Sequence, residues 1–384
     1  MVSPTTSATC SYVESKWPGR YGNQQEDYIK RTTQATLEIV KELPSKKNDL
    51  QAFFFRCLED LGKLRRQIAQ DHQTLNAETF GKRREDETVP CEFTALGAQY
   101  KEYNQKIIDS VHQHFLDMYL GAERQTARIL QDKSLGRCSR FQIRVLEQRD
   151  IVEQKWCIPL GVEPEFRSKK EPVEEKIKIE AITDRRLLKD LKERQPALYE
   201  RERMCALLYY NNVYFPAVKG QTCLYNGYIL GTSELEINGK MRVLSQYLTW
   251  LSWDDQENVF DRMKRCATMV ILHHDLFEIE ETLKDVAKIF EQAVLWNSKE
   301  ESLEELKNRV GLFRYELAHA MPFVRGSSAV GEMFEAALYW YHGFSNFRHF
   351  KPVDLEALTA LLLTDYLKTY HEIVVLEKVS SSAV

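Results

Sequence analysis

Apolar residues recur at three- and four-residue steps through most of this chain. That spacing constrains the fold more than any other feature, because only a helix puts such positions on one face. From Tyr28 to Leu43, and from Leu50 to Leu75 through Phe54, Leu58, Leu61, Leu64 and Ile68, it predicts two amphipathic helices. The polar run 82–88 and Pro90 break the pattern. A longer helical stretch is then expected from about Phe93 to Asp132, through Ile107, Val111, Phe115, Met118 and Leu130. From Met241 onward the pattern predicts almost continuous helix, in segments 241–252, 256–273, 276–296, 299–320, 328–342 and 353–377. Ser298 and Glu301 supply a capping box for the segment through Leu303, Leu306, Val310, Phe313 and Leu317.

The middle of the chain has a different period. Phe141, Ile143 and Val145 alternate with Gln142, Arg144 and Leu146, and Ile177 and Ile179 alternate with charged residues, which is the two-residue repeat of strands. Residues 184–210 read as helix, and 216–239 as short strands and turns marked by Gly220, Asn226-Gly227, Gly231 and Asn238-Gly239. Three prolines and a charged cluster in 159–172 mark a boundary or exposed loop, and the Ser-, Thr-, Pro- and Gly-rich residues 1–23 read as a mobile arm. The expected fold class is mainly helical α+β. A helical N-terminal region (24–165, with strands near its end) precedes a β-containing middle and a C-terminal helical bundle (173–384), with no internal repeat.

Composition excludes several classes. With 384 residues, 43% apolar and 29% charged, the chain is neither disordered nor fibrous and can bury a substantial core. Lys and Arg number 53 against 57 Asp and Glu, so it lacks the basic excess of a dedicated nucleic-acid binder. The eight cysteines form no CxxC pair, which suits reduced thiols in a reducing compartment. No run reaches the ~18 apolar residues that span a bilayer, and residues 1–30 lack a signal-peptide core. A soluble chain outside the general secretory route is expected.

Chemistry-bearing residues concentrate in Glu316-Leu-Ala-His319-Ala-Met-Pro322-Phe-Val-Arg325-Gly-Ser327-Ser328. One helix should end near Ala320 and the next open near Ser328. The new N-terminus would offer unpaired N–H groups, and Arg325, Ser327 and Ser328 would add donors suited to a phosphate. The plainer reading is a capped helix with its arginine on a nearby carboxylate. Glu316 and His319 form Glu-x-x-His, the pair used by helical di-metal bundles, but no second such pair occurs. No metal site is therefore assigned. His112 and His114 diverge on a helix and cannot chelate one ion.

A second cluster is His273-His274-Asp275-Leu-Phe-Glu278. On one helix, Glu278 would face His274 and raise its basicity. Asp275 and Glu278 also read as a capping box for the next helix, and in that case His274 lies outside it. Ser233, followed about forty residues later by His274-x-x-x-Glu278, resembles the Ser…His-x-x-x-Glu pattern of bacterial effector AMP-transferases of the LnaB type, over at most residues 225–340. The resemblance implies transfer of an adenylyl group from ATP, with His274 as base, Glu278 orienting it, and Ser233 or another serine such as Ser327 near the phosphates. The sequence departs from nucleotide-binding patterns in having no Gly-x-x-x-x-Gly-Lys-Ser/Thr loop.

Other nucleophile patterns are absent or bland. There is no Gly-x-Ser-x-Gly elbow, Cys91 and Cys223 have no local signature, and Asp254, Asp255 and Glu257 suit the first turn of a helix. The tail Ser382-Ala383-Val384 would suit capture by a PDZ groove, and its serines resemble a type IV secretion signal. The leading expectation is a bacterial effector or toxin-type transferase acting on nucleotide-phosphate chemistry. Its catalytic residues are His274, Glu278, His319 and Ser233, its phosphate group is Arg325, Ser327 and Ser328, ATP with Mg²⁺ is the implied donor, and a host or cellular protein is the acceptor. The competing expectation is a non-enzymatic helical effector that binds a protein partner. Closure of 273–278 and 319–328 around one pocket would favour the enzyme.

Overall fold

In the computed structural model the described residues are 23–46, 48–84, 93–95, 101–120, 127–132, 135, 137–147, 185–196, 199, 225–253, 270–344 and 346–377. The arm over 1–22, the 159–172 boundary, the alternation at Ile177 and Ile179, all of 200–224 and 254–269, and the C-terminal tail lie outside them, as do Cys91 and Cys223.

In chain order the elements are α1 (Asn23–Glu42), α2 (Leu50–Asp71), β1 (Phe93–Ala95), α3 (Lys101–Leu120), β2 (Ala127–Asp132), β3 (Arg137–Glu147), α4 (Arg185–Arg194), β4 (Tyr225–Ile237), β5 (Lys240–Trp253) and β6 (Val270–Leu272). They continue with α5 (Ile279–Val294), α6 (Leu303–Ala320), α7 (Ser327–Tyr341), β7 (Asn346–His349), α8 (Val353–Thr359), α9 (Leu363–Ile373) and β8 (Val374–Glu377). The fold is mainly helical α+β, with its larger sheet in the middle of the chain. The described residues contain no helix long and apolar enough to cross a membrane.

Three helical expectations are corrected. Residues 241–252 form β5, paired antiparallel with β4 around the turn Asn238-Gly239, whose φ values of 52° and 73° suit a tight hairpin. Leu244, Ser245, Gln246 and Tyr247 are all buried, so this strand is covered on both faces and shows no alternation. The expected long helix 93–132 is a short strand, a helix and a second strand. The segment 353–377 is two short helices and a strand, because Ala360 is extended and ends the first helix. The capping box of α6 also moves by one turn. Ser302 accepts from the Glu305 N–H at 3.2 Å and Glu305 returns to the Ser302 N–H, while Glu301 accepts from the Asn297 N–H at 3.1 Å instead.

The chain divides into two compact units. One comprises Met1–Arg84, Asp132–Arg137 and Ile279–Val384, and the other Glu85–Gln131 and Cys138–Glu278. The first unit joins the N-terminal helices to the C-terminal ones. Phe54 of α2, Phe290 of α5, Phe313 of α6 and Phe334 of α7 meet in one aromatic cluster with ring centroids 5.0–6.1 Å apart. All four are fully buried, and each contributes about 1.5–3 kcal/mol by leaving water. Tyr28 of α1 packs with Ile68 of α2 and Ala329 of α7.

The second unit is organised by an antiparallel sheet in the order β1-β6-β5-β4-β3-β2. Phe141 pairs with Ser233, and Ser233 with Ser245. Beyond that point Glu234 pairs with Val243, so Leu244 is an extra residue and β5 carries a bulge. Leu188 of α4 packs with Tyr199, and Leu191 and Phe277 lie against them.

Candidate functional site

The bulge in β5 is where the residues singled out in the middle of the chain converge. His274 follows β6 directly, and its ring Nδ1 donates to the Val243 carbonyl at 2.7 Å. A carbonyl only accepts, so Nδ1 carries a proton, and Nε2 is the nitrogen that bears the lone pair whenever the ring is neutral. Val243 is the register partner of Glu234, next to Ser233, and Ser233 itself pairs with Ser245. Two residues separated by about forty positions in sequence thus meet on one short stretch of β5, residues 242–245. Bulges commonly re-aim side chains beside functional sites.

Glu278 reaches the same stretch by a different route from the one its spacing suggests. The chain from Asp275 to Glu278 is a turn, in which the Asp275 carboxylate accepts from the Phe277 N–H at 2.8 Å and its carbonyl accepts from the Glu278 N–H at 2.9 Å. Helix α5 begins only at Ile279, so His274 and Glu278 do not share a helix. The Glu278 carboxylate instead pairs with Lys192 Nζ at 2.7 Å and lies 3.5 Å from Arg242 Nη1. Burial opposes its ionisation, but the ammonium of Lys192, with its hydrogen bond, and the His274 imidazole outweigh this and hold the carboxyl below the usual glutamate range.

Lys192 and Arg242 join this cluster with no signal in the sequence, and Asp275, expected as a helix cap, joins it as well. Lys192 comes from α4 and also lies 3.2 Å from Asp275 Oδ2, with its charge 5.7 Å from the centre of the Tyr199 ring. One turn earlier on α4, Leu188 packs with Tyr199 and so fixes where Lys192 can reach. No motif marks a lysine on a short, highly charged helix, and its partners lie about eighty residues away. On the other side of the bulge, Arg140 and Gln142 both donate to the Glu234 carboxylate, Arg140 through two nitrogens.

Ser233 and His274 are almost completely buried, at 0% and 1% exposure.

The residues singled out between 316 and 328 belong to the first unit, and most of their polar groups are held within it. Residues 79–84 are stitched to 322–325 by four backbone hydrogen bonds, from the N–H groups of Gly81, Arg84, Val324 and Arg325. The Arg325 guanidinium donates to the Leu75 carbonyl at 3.4 Å and lies 5.8 Å from the centre of the Phe80 ring. The Ser327 hydroxyl exchanges hydrogen bonds with the Phe323 N–H and carbonyl, both at 3.0 Å, and the Ser328 hydroxyl donates to Asp354. The N-cap of this helix is Gly326, in the left-handed region at φ 94°, and no side chain caps it; the two serines anchor the helix start to Phe323 and Asp354.

Glu316 and His319 are both fully buried on α6. The His319 ring meets Tyr315 edge-on at 4.5 Å. Arg137 pairs with Asp285 and lies 3.8 Å from Glu316, so two carboxyls share one guanidinium. Burial, with Asp285 beside it, pushes the Glu316 carboxyl well above the usual range despite Arg137. Among the described residues there is no group of three metal-ligating side chains.

A larger buried network went unread in the sequence. Arg314 of α6 donates from Nη2 to both carboxylate oxygens of Asp354 of α8, at 3.0 Å each, and its Nε lies 3.4 Å from Glu335 of α7. Glu335 also meets His349 at 3.0 Å and accepts from Tyr370. Burial works against the ionisation of Glu335, but His349 and Arg314 keep its carboxyl below the ordinary range.

No protein-family model matches the sequence, and no curated protein matches it. The chemistry of these residues has to be argued from their geometry.

Proposed function

We propose that the second unit carries a transfer site for nucleotide phosphate, with His274 as general base and ATP as donor. The observation that supports this reading is the convergence of Ser233, His274 and Glu278 on residues 242–245 of β5, since three residues matching one pattern come together through tertiary structure. In the reaction, a nucleophile on an acceptor protein attacks the α-phosphorus of ATP. The bond to the β-phosphate oxygen breaks, pyrophosphate leaves with the electron pair, and the acceptor proton passes to His274 Nε2. Ser233 has no exposed surface and in this reading shapes the bulge instead of touching the phosphates. Arg325, Ser327 and Ser328 belong to the first unit and have no part in this reading; the two hydroxyls donate to Phe323 and Asp354, and Arg325 is exposed with one donor on the Leu75 carbonyl.

The same contacts also fasten the 273–278 turn to β5, as they would in a non-enzymatic effector that binds a protein partner. Calorimetric titration of the full chain with ATP, with and without Mg²⁺, separates the two. The transfer reading expects saturable binding in the wild type that is kept in Arg325→Ala, with the variant folded by circular dichroism. Absence of binding in every condition would leave the partner-binding reading, to be pursued by affinity capture.

A further inference from the structure

Glu278 is the acidic member of the Ser…His-x-x-x-Glu pattern, and its expected task is to orient the histidine. The geometry points to another task. The proton-bearing nitrogen of His274 is already held by the Val243 carbonyl at 2.7 Å, on backbone that the β5 bulge presents. Nothing remains for a carboxylate to do at Nδ1, and a carboxylate at Nε2 would occupy the nitrogen that must accept a proton. Glu278 instead directs its shortest contact, 2.7 Å, to Lys192, and Asp275 approaches the same ammonium at 3.2 Å.

We infer that Lys192 is the phosphate-contacting cation of this site, and that Glu278, with Asp275, is its positioning residue and not that of His274. This rests on the transfer reading above. An ammonium carries three N–H donors; one goes to Glu278 at 2.7 Å, and Asp275 Oδ2 stands 3.2 Å from the same nitrogen as a charge partner. The Lys192 side chain keeps 22% of its surface exposed, so a remaining donor can reach a ligand that approaches α4. Two carboxylates and the Tyr199 ring hold a flexible four-carbon stem in one place, which removes most of the ordering cost of meeting an anion. Arg242, 3.5 Å from the other Glu278 oxygen, limits the negative charge that the phosphate would meet.

The test uses the full chain and two independent readouts. In titrations with ATP, AMP and adenosine, Lys192→Met is expected to weaken ATP and AMP binding about tenfold or more, the scale of a lost charge-assisted hydrogen bond, and to leave adenosine unchanged. Glu278→Gln should weaken ATP binding less, and the double variant should bind no worse than Lys192→Met, because one residue acts through the other. Lys192→Arg keeps the charge and should restore part of the affinity. Separately, imidazole ¹⁵N shifts should show His274 protonated on Nδ1 in both the wild type and Glu278→Gln.

ATP affinity within twofold of wild type in folded Lys192→Met would overturn the role of Lys192. A shift of the His274 proton to Nε2 in Glu278→Gln would return Glu278 to orienting the base. If the wild type binds no nucleotide, the transfer reading fails and takes the phosphate contact with it, while the nitrogen shifts still decide which group sets the imidazole.

Discussion

Arg314 has no exposed surface, and its guanidinium lies so close to α7 that a Cβ added at Gly331 would stand 2.2 Å from Nη1. In an open helix, exchanging glycine for alanine stabilises by about 1 kcal/mol. Here the bonds from Nη2 to both Asp354 oxygens pin the arginine, so it cannot swing aside without breaking this pair. Gly331→Ala is expected to destabilise the chain by about 1–3 kcal/mol in urea titration, the cost of overpacking, and a gain in stability would show that Arg314 has room to move. Half of this was legible. Glu335 is a charge inside the apolar run Met333-Phe-Glu-Ala-Ala-Leu338, which calls for a buried partner. The partners Arg314 and His349 lie on other elements, and helical periodicity says which residues face inward but not which meet.

Among the elements, the helices with an apolar face and the alternating strand through Phe141, Ile143 and Val145 are legible in the sequence, whereas β5 and the strands that interrupt 93–132 are not. The reason is visible at β5, where Met241, Leu244, Leu248 and Leu251 keep helical spacing by chance and a strand covered on both faces offers no alternation to contradict it. Asn238-Gly239 was recognised as a turn, but its consequence, a second strand of matching length, was not drawn. The candidate site suffered for the same reason. Ser233, His274 and Glu278 stand out as a pattern, whereas the surface that unites them is β5, whose spacing predicts a helix. The misplaced capping box permits a sharp check on α6. Ser302→Ala should cost about 1 kcal/mol, because it removes the acceptor for the Glu305 N–H, and Ser298→Ala should cost nothing measurable in the same denaturation experiment. Equal losses would mean that the helix starts where the sequence alone suggested.

For the whole molecule, buried carboxyls of opposite behaviour set how stability varies with pH. Glu335 and Glu278 are held below the usual glutamate range, so their stabilisation is present above the unfolded value and is lost as pH falls through the lowered one. Glu316 runs the other way. Burial and Asp285 raise it well above its unfolded value, so the folded chain keeps a proton that the unfolded chain releases. Its contribution is complete below the ordinary glutamate pKa and declines as pH rises towards the raised one, by up to about 1.4 kcal/mol per pH unit. Arg137, shared with Asp285, is too distant at 3.8 Å from Glu316 to reverse this. Glu316→Gln keeps the shape and the neutral charge but removes the titration. The melting temperature of this variant, measured against wild type between about pH 5 and about pH 7, should therefore gain steadily as pH rises. The acid side should be unaffected, because Glu335 and Glu278 control it and both remain in place. A difference that stays constant across the range would mean that Glu316 is ionised in the folded chain, and that Arg137 neutralises both carboxylates at once.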